Sequence, residues 1–268
     1  MLLMKLDNLI EGQIIKRPSK YIKTPYVADI LIDETEYLAH TPALGCCGLS
    51  DVGSKVMLTP SASQKTDYVV QLAALPNNQY VGINPKLAEN LVENCLLLQV
   101  IKSLRGCKRF RREVTRENSD SRFDFVGIDK NGIEFIMEVK NVPLADFEDV
   151  TAKERKKMDF TGREPNTKVA YFPDGYRKKT TEPVSPRALK HIRELTRIKN
   201  EEILIRCIMC YVIQRTDVNR FTTSVIDPEY KQAVKEAHEQ GIEIITLQVE
   251  WNEKGEARFV RDDLPFIL

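Results

Sequence analysis

The sequence predicts an α/β protein that begins with a small all-β domain. Over residues 1–83, short apolar stretches alternate with Pro and Gly turn signals, a pattern typical of a small barrel or a five-stranded meander. From residue 84 onward, strand and helix patterns alternate, which favours a mixed sheet flanked by helices. The 268 residues are enough for two such units. We therefore predict one domain in residues 1–83 and a second in residues 84–268.

Three helices in the second unit have clear start signals. Two begin at a proline that follows an N-capping residue, Asn84-Pro85 and Ser185-Pro186, and the third begins at Pro228 and is closed by Gly241. The predicted helices end near residues 104, 197 and 240. Strands are expected over residues 110–115, 121–128, 133–141, 168–172, 203–213 and 242–250.

Composition excludes several classes of protein. No apolar run approaches the roughly 18 residues of a membrane span, and residues 1–7 do not read as a secretory signal. We therefore expect a cytoplasmic protein without membrane contact. We do not expect the six cysteines to form a disulfide scaffold in such a chain. Cys207 and Cys210 have metal-like spacing, but three residues apart on a strand they point to opposite faces.

The net charge of +1 conceals an uneven distribution. Residues 101–122 carry eight Lys and Arg against three Asp and Glu, and residues 151–200 carry fourteen against six. Clustered positive charge favours a polyanion, because neutralised phosphates release counterions. A set of exposed basic loops would explain the same composition equally well.

A hairpin over residues 122–140 carries the most informative pattern. Two registers compete at its turn, residues 130–132. A two-residue Asn-Gly loop would mix aromatic rings and charges on one face. A three-residue loop with Gly132 in the left-handed conformation pairs Phe125 with Met137 and separates the faces. We predict this second register, which places five apolar residues on one side: Phe123, Phe125, Phe135, Met137 and Val139.

The same register places acidic residues on the other side of the hairpin. Asp124 lies opposite Glu138, and Lys140 projects toward the same place. Carboxylates on directly opposed positions, with Cβ atoms about 5 Å apart, repel unless a cation or a proton lies between them. A divalent metal with all-oxygen ligation is the economical solution, which favours Mg²⁺ or Mn²⁺. Glu113, on the preceding strand, could supply a third carboxylate. An edge hairpin with a solvated charged face is the alternative.

This arrangement resembles the core of PD-(D/E)xK nucleases. There an Asp and a Glu-x-Lys lie on neighbouring strands, as Asp124 and Glu138-Val139-Lys140 do here. The residue before Asp124 is Phe123 rather than Pro, and the literal Pro173-Asp174 has no following Glu-x-Lys strand. Basic residues near the acids could hold phosphates: Arg109, Arg111, Arg112, Arg116 and Arg122.

Further segments are similar to the sugar fermentation stimulation protein A family over most of the chain. The segments occur in the family's order: His40-Thr41-Pro42, Val81 to Asn84, Ser121 to Phe125, Glu138 to Val142, Phe172-Pro173-Asp174, Arg187 to Leu195 and Asp227 to Tyr230. The resemblance implies an OB-like barrel, a nuclease-like α/β domain and nucleic-acid binding. It also implies that Glu113, Asp124, Glu138 and Lys140 fall on the active site, and that Lys190 and His191 lie on a functional helix.

Two departures from the family pattern mark a divergent member. Its usual Pro-Asn-Thr-Gly loop is replaced by residues 42–47, which leaves the role of that loop open. The Arg-Gly before the Lys-His pair is Arg187-Ala188 here. Without the resemblance, Lys190 and His191 would be interpreted as ordinary polar positions of an amphipathic helix.

Two functions are therefore expected from the sequence. The first is a Mg²⁺- or Mn²⁺-dependent nuclease in which Asp124, Glu138 and the Val139 carbonyl ligate the metal, Glu113 completes the site and Lys140 orients the attacking water. The second is a non-catalytic DNA-binding regulator that keeps the fold. In both, the partner is nucleic acid, DNA in preference to RNA, with Arg109, Arg111, Arg112, Arg122, Lys190 and His191 as contacts. A homodimer is left open.

Overall fold

The computed structural model describes residues 1–43, 48–116, 119, 121–173 and 183–268. Most of the divergent loop at residues 42–47, and Asp174 of the Phe-Pro-Asp turn, lie outside the described residues. The strands are β1 Leu2–Lys5, β2 Ile10–Lys16, β3 Val27–Ile32, β4 Thr35–His40, β5 Lys55–Pro60, β6 Tyr68–Leu75, β7 Gln79–Gly82, β8 Arg109–Thr115, β9 Arg122–Ile128, β10 Glu134–Val142, β11 Ala145–Asp146, β12 Lys168–Phe172, β13 Arg206–Ile213, β14 Val218–Thr223, β15 Glu243–Trp251, β16 Glu256–Arg261 and β17 Phe266–Ile267. The helices are α1 Pro85–Leu97, α2 Ala152–Arg155, α3 Pro186–Glu201 and α4 Pro228–Glu239.

The N-terminal unit is a closed five-stranded OB-like barrel. Its strands follow the order β4-β3-β2-β5-β6, and the parallel pair β4–β6 closes the circle. Gly12 of β2 faces the interior, where a Cβ would approach the Ile30 and Leu58 side chains to 2.7 and 2.8 Å. Alternate residues of the strands fill a core of their own, which includes Ile14, Ile30 and Val56. The all-β prediction for this part of the chain is confirmed.

The C-terminal unit is a mixed sheet between helices, as predicted. Its central order is β15-β13-β10-β9-β8, with β15, β13 and β10 parallel and β9 and β8 antiparallel. The helix α1 covers one face, and α3 and α4 cover the other, so each face has a separate apolar core. A smaller sheet, β11-β12-β14-β17, packs beside the second core.

The two units are joined by strand pairing as well as by the chain. The strand β7 pairs with β6 of the barrel and also meets β15, with Tyr80 opposite Trp251. The first strand, β1, pairs with β16 of the C-terminal unit, although it precedes the barrel in the sequence. Residues 2–5 therefore belong structurally to the second unit.

The helix starts follow the predicted capping chemistry. The side chain of Asn84 accepts a hydrogen bond from the backbone N–H of Lys86, and Ser185 does the same for Ala188. The first helix ends at Leu97, earlier than predicted, because a separate 3₁₀ turn forms residues 102–104. None of the helices in the described ranges is long and apolar enough to cross a membrane.

The two strand thiols lie in separate cores, as the spacing predicts. Cys207 belongs to the core beneath α3 and α4, and Cys210 to the core beneath α1. Burial raises the pKa of the Cys207 thiol to about 12. Burial also raises the pKa of the Cys210 thiol well above its ordinary value. Both side chains are core thiols, and because they lie on opposite faces of β13 they do not converge on one site.

Candidate active site

The hairpin has the predicted register at its closed end. Phe125 pairs with Met137 and Ile128 with Glu134, and Gly132 takes φ of +85° in the turn. The pairing of β9 with β10 stops at Phe125. The expected pairing of Asp124 with Glu138, and any pair beyond it, is therefore absent from the ladder. Phe123 consequently packs in the core beneath α3 rather than with Phe125, which corrects the prediction that both share one face.

Asp124 occupies the point where the two strands separate. Its carboxylate Oδ2 accepts a hydrogen bond from the backbone N–H of Val139 at 2.7 Å, in place of the missing ladder bond. Beyond this point β10 continues without β9 beside it, and its residues Glu138, Val139 and Lys140 line the space between the two strands. This geometry brings Asp124, Glu138 and Lys140 together, although Asp124 and Glu138 are not a directly paired couple.

Glu138 forms the centre of a compact polar group with two neighbours. Lys140 Nζ donates to Glu138 Oε1 at 2.6 Å, and Nδ1 of His191, from α3, also bonds this oxygen. The distance between Lys140 Nζ and His191 Nδ1 is 3.1 Å. Glu138 and His191 are buried, with 2% and 7% of their surface exposed. The resemblance led us to expect nucleic-acid contact from His191, and the structure places its side chain on the buried face of α3.

The two carboxylates have opposite electrostatic balances. Burial raises the pKa of Asp124 to about 7, and the nearby charge of Glu138 acts in the same direction. Burial also acts to raise the pKa of Glu138, but the Lys140 ammonium and the His191 hydrogen bond outweigh it, and this pKa lies below its ordinary value. The site therefore holds one well-compensated carboxylate beside one that lacks sufficient positive charge.

A cavity of about 300 Å³ opens beside these side chains. The barrel, α1, β10 and α3 all contribute to its walls. The N-terminal residues of the two helices line it, since Pro85 belongs to the first turn of α1 and Arg187 to the first turn of α3. Its lining consists of Ala43, Pro85, Glu89, Asp124, Glu138, Val139, Lys140, Asn141, Phe172, Ser185, Arg187 and Ala188.

The third acidic side chain in the cavity is Glu89 of α1, not Glu113. Glu113 is exposed, has φ of +54°, and lies 3.4 Å from the exposed Arg122, away from the cavity lining. The left-handed backbone at this position interrupts the alternation on which the expectation for Glu113 rested. The only sequence signal for Glu89 is its place in the first turns of α1, beside the buried Ala88. Across the described ranges, no three His, Cys, Asp or Glu side chains are already grouped closely enough to hold a metal.

Some of the basic residues predicted to contact nucleic acid are exposed, and others form ion pairs within the protein. Arg109 and Arg111 are exposed on β8, and Lys190 is exposed on α3. Arg112 instead bonds the carboxylates of Glu89 and Glu93, at 3.0 and 2.7 Å, so it binds α1 to the sheet. Arg187, which the sequence did not select, is exposed and lines the cavity.

The fold and this cavity define a class of two-unit proteins, in which an OB-like barrel and a helix-flanked mixed sheet share a cavity lined by acidic residues. The family model described as the sugar fermentation stimulation protein RE domain matches residues 86–255. The chain belongs to the sugar fermentation stimulation protein family.

Relatives and a solved structure match over most of their length. A sugar fermentation stimulation protein homolog of Jannaschia sp. (strain CCS1) is 31% identical over 241 residues, covering 88% of this chain and 86% of the relative. One from Geobacter sp. (strain M21) is 30% identical over 270 residues, covering 99% and 100%. The structure of Pyrococcus furiosus SfsA in complex with Ca²⁺ covers both chains fully, with a TM-score of 0.79 and 22% identity. The expected family and fold are thus confirmed.

Proposed function

We propose that this protein is a divalent-cation-dependent phosphodiesterase that cleaves DNA at the cavity containing Asp124, Glu138 and Lys140. The observation that carries the proposal is the convergence of these three side chains where β9 and β10 separate. This is the arrangement that a PD-(D/E)xK active site requires, with an Asp and a Glu-x-Lys on neighbouring strands. The exposed arginines of β8 and the basic residues of α3 supply positive charge for a polyanion.

The donor atoms that line the cavity are of the type that a hard divalent cation prefers. Asp124, Glu138 and Glu89 offer carboxylates and Val139 a backbone carbonyl, an all-oxygen set suited to Mg²⁺ or Mn²⁺. Asp124 is the strongest indication, since it is buried in the cavity beside a second carboxylate, and burial followed by the charge of Glu138 raises its pKa to about 7. The Ca²⁺ complex of the Pyrococcus furiosus relative supports a divalent cation in this fold. Bound there, such a cation would polarise a phosphoryl oxygen and lower the pKa of a water molecule.

The chain's own residues supply the remaining chemistry. Lys140 has 12% of its side chain exposed, so its ammonium is largely desolvated and acts on nearby oxygen atoms more strongly than in water. It would orient the attacking water and stabilise charge that develops on the phosphoryl oxygens. Arg187, at the rim of the cavity, would hold a phosphate of the substrate.

The experiment is a cleavage assay on plasmid and single-stranded DNA with Mg²⁺ or Mn²⁺. Glu138→Gln and Lys140→Ala should abolish cleavage, while Glu134→Gln on the same strand and Lys130→Ala in the turn should not. Cleavage that persists in the first two variants would assign the activity to a contaminant or to another site. Repetition with RNA of the same sequence decides between the two nucleic acids.

A second function is favoured by one specific observation. The Glu138 carboxylate is already bonded by Lys140 and His191, as it would be in a protein that keeps the fold without cutting. A DNA-binding regulator would then bind DNA with strong salt dependence and without any requirement for a cation. Calorimetric cation binding that disappears in Asp124→Ala would favour the nuclease, and salt-sensitive DNA binding that is indifferent to cations would favour the regulator.

A further inference from the structure

His191 is a buried polar residue in the middle of the proposed active site. Its ring lies on the face of α3 that packs against the sheet, between Ala188 and Leu195 of the apolar core. Its two nitrogens face different partners, since Nδ1 meets Glu138 and Lys140 while Nε2 lies 3.5 Å from Nε of Arg187. These three partners all line the cavity.

The chemistry of the neighbours fixes the position of the ring proton. A guanidinium and an ammonium can only donate hydrogen bonds, so Arg187 beside Nε2 requires an acceptor there. In the neutral ring the proton then lies on Nδ1. With a proton on Nδ1, the ring donates to Glu138 Oε1, which accepts from Lys140 as well. Lys140 Nζ then lies 3.1 Å from Nδ1 as a neighbour without a hydrogen bond to it, because both groups are donors.

This arrangement restricts the Glu138 carboxylate to one orientation. Within the described part of the chain, both side-chain hydrogen bonds to Glu138 fall on Oε1, so Oε2 is the oxygen that remains for a ligand in the cavity. A carboxylate held by a second residue loses little rotamer freedom on binding, and outer residues of this kind tune cation affinity. The hydrogen bond from His191 also keeps Glu138 beside Lys140 when a ligand enters the cavity.

We propose that His191 is a positioning residue, whose Nδ1 contact with Glu138 orients this carboxylate for cation binding and keeps it beside Lys140. The inference rests on the proposed function, because it concerns the same cavity. It assigns the Lys190-His191 pair two different roles, with Lys190 exposed on the helix surface and His191 beneath it.

The first test is nuclear magnetic resonance of the full chain with ¹⁵N-labelled histidine. Long-range ¹H–¹⁵N correlations should identify one ring protonated at Nδ1, absent from His191→Asn and shifted in Glu138→Gln. His238, exposed on α4, serves as the internal control. A ring protonated only at Nε2, or one indifferent to Glu138→Gln, would overturn the proposed role.

The second test is calorimetric titration with Mn²⁺. His191→Leu should weaken Mn²⁺ binding by ~10–100-fold, while His191→Asn, which keeps a donor near the Nδ1 position, should recover most of that loss. His238→Leu should bind as the wild type does. Equal affinity in His191→Leu and wild type would overturn the positioning role alone, as would equally weak binding in the Leu and Asn variants. A wild type without Mn²⁺ binding would overturn the cation site and the positioning role together.

Discussion

The carboxylate of Asp124 accepts a hydrogen bond from the backbone N–H of Val139, at the point where their strands cease to pair. One side chain thus replaces a ladder bond and at the same time opens the cavity. Asp124 is held in place by a backbone donor of the strand that carries Glu138 and Lys140. This position destabilises the ionised form of the Asp124 carboxylate, because burial and the charge of Glu138 raise its pKa to about 7.

We expect Asp124→Asn to stabilise the protein in the absence of divalent cations. The amide can still accept from Val139, while the buried charge beside Glu138 is removed. The free energy of unfolding should rise by about 1–2 kcal/mol, and Tm by several degrees, as measured by thermal denaturation in a chelator. Cation binding should be lost in the same variant. A lower Tm than that of the wild type would show that the charge itself stabilises the fold.

Glu89→Gln and Glu113→Gln should show which of these two residues is the third carboxylate of the cation site. Glu89 lines the cavity and its charge contributes to the raised pKa of Asp124, whereas Glu113 is exposed beside Arg122. Glu89→Gln should therefore weaken Mn²⁺ binding by roughly tenfold, and Glu113→Gln should leave it unchanged, as measured by calorimetry. Weaker Mn²⁺ binding in Glu113→Gln than in Glu89→Gln would show that Glu113, not Glu89, contributes to the cation site.

Asp217→Asn should reveal a pH-dependent contribution to stability. Burial acts to raise the pKa of Asp217, but the Arg215 guanidinium and the Lys168 ammonium outweigh it and hold this pKa below its ordinary value. The ion pair with Arg215 is buried, with side chains 4% and 9% exposed. Since the pKa is lowered in the folded state, the contribution is present above the unfolded pKa of about 4 and is lost as the pH falls through the folded value.

The measurement is urea denaturation of wild type and Asp217→Asn at pH 7 and near pH 3. At pH 7 the variant should lose about 3 kcal/mol, because Arg215 remains buried without its partner charge. The difference should shrink at the acidic pH. A difference that is equal at both values would mean that the charge of Asp217 does not contribute.

Gln214→Ala should destabilise the junction between the barrel and the larger sheet. The buried Gln214 donates to Asn141 Oδ1 at 2.6 Å and accepts from Trp251 Nε1 at 2.8 Å, and Asn141 in turn donates to the Gly82 carbonyl. Removing the amide leaves the buried Trp251 Nε1 and the half-buried Asn141 Oδ1 without this partner, a loss of about 2–3 kcal/mol in unfolding free energy. Chemical denaturation measures it, with the exposed Gln232→Ala as control.

Gly82→Ala gives an independent check of the same junction. A Cβ at this position would lie 1.8 Å from Gln214 Oε1, so the variant must displace the amide. Its effect should add less than fully to that of Gln214→Ala, because both changes break one network. Full additivity would contradict the proposed coupling.

The sequence predicts those parts of the fold that depend on local chemistry. The helices begin at Pro85 and Pro186 because the preceding Asn84 and Ser185 cap them, and Gly132 together with strand alternation determines the hairpin register. Alternation alone does not reveal where a ladder ends, and this is why Phe123 was assigned to the wrong face.

The rest of the site depends on packing between distant segments. Glu89 reaches the cavity because α1 crosses one face of the sheet, and His191 because α3 crosses the other. Neither contact follows from spacing along the chain. The left-handed backbone at Glu113 has no sequence signal either, since a charged residue rarely adopts it.

The pairing of β1 with β16 and of β7 with β15 has a practical consequence for anyone who divides this chain. A fragment that starts at residue 84 would lose both strands, and its bare sheet margin would offer unpaired N–H and C=O groups to other copies. Such a truncation should therefore self-associate, and biochemical work is best carried out on the entire polypeptide.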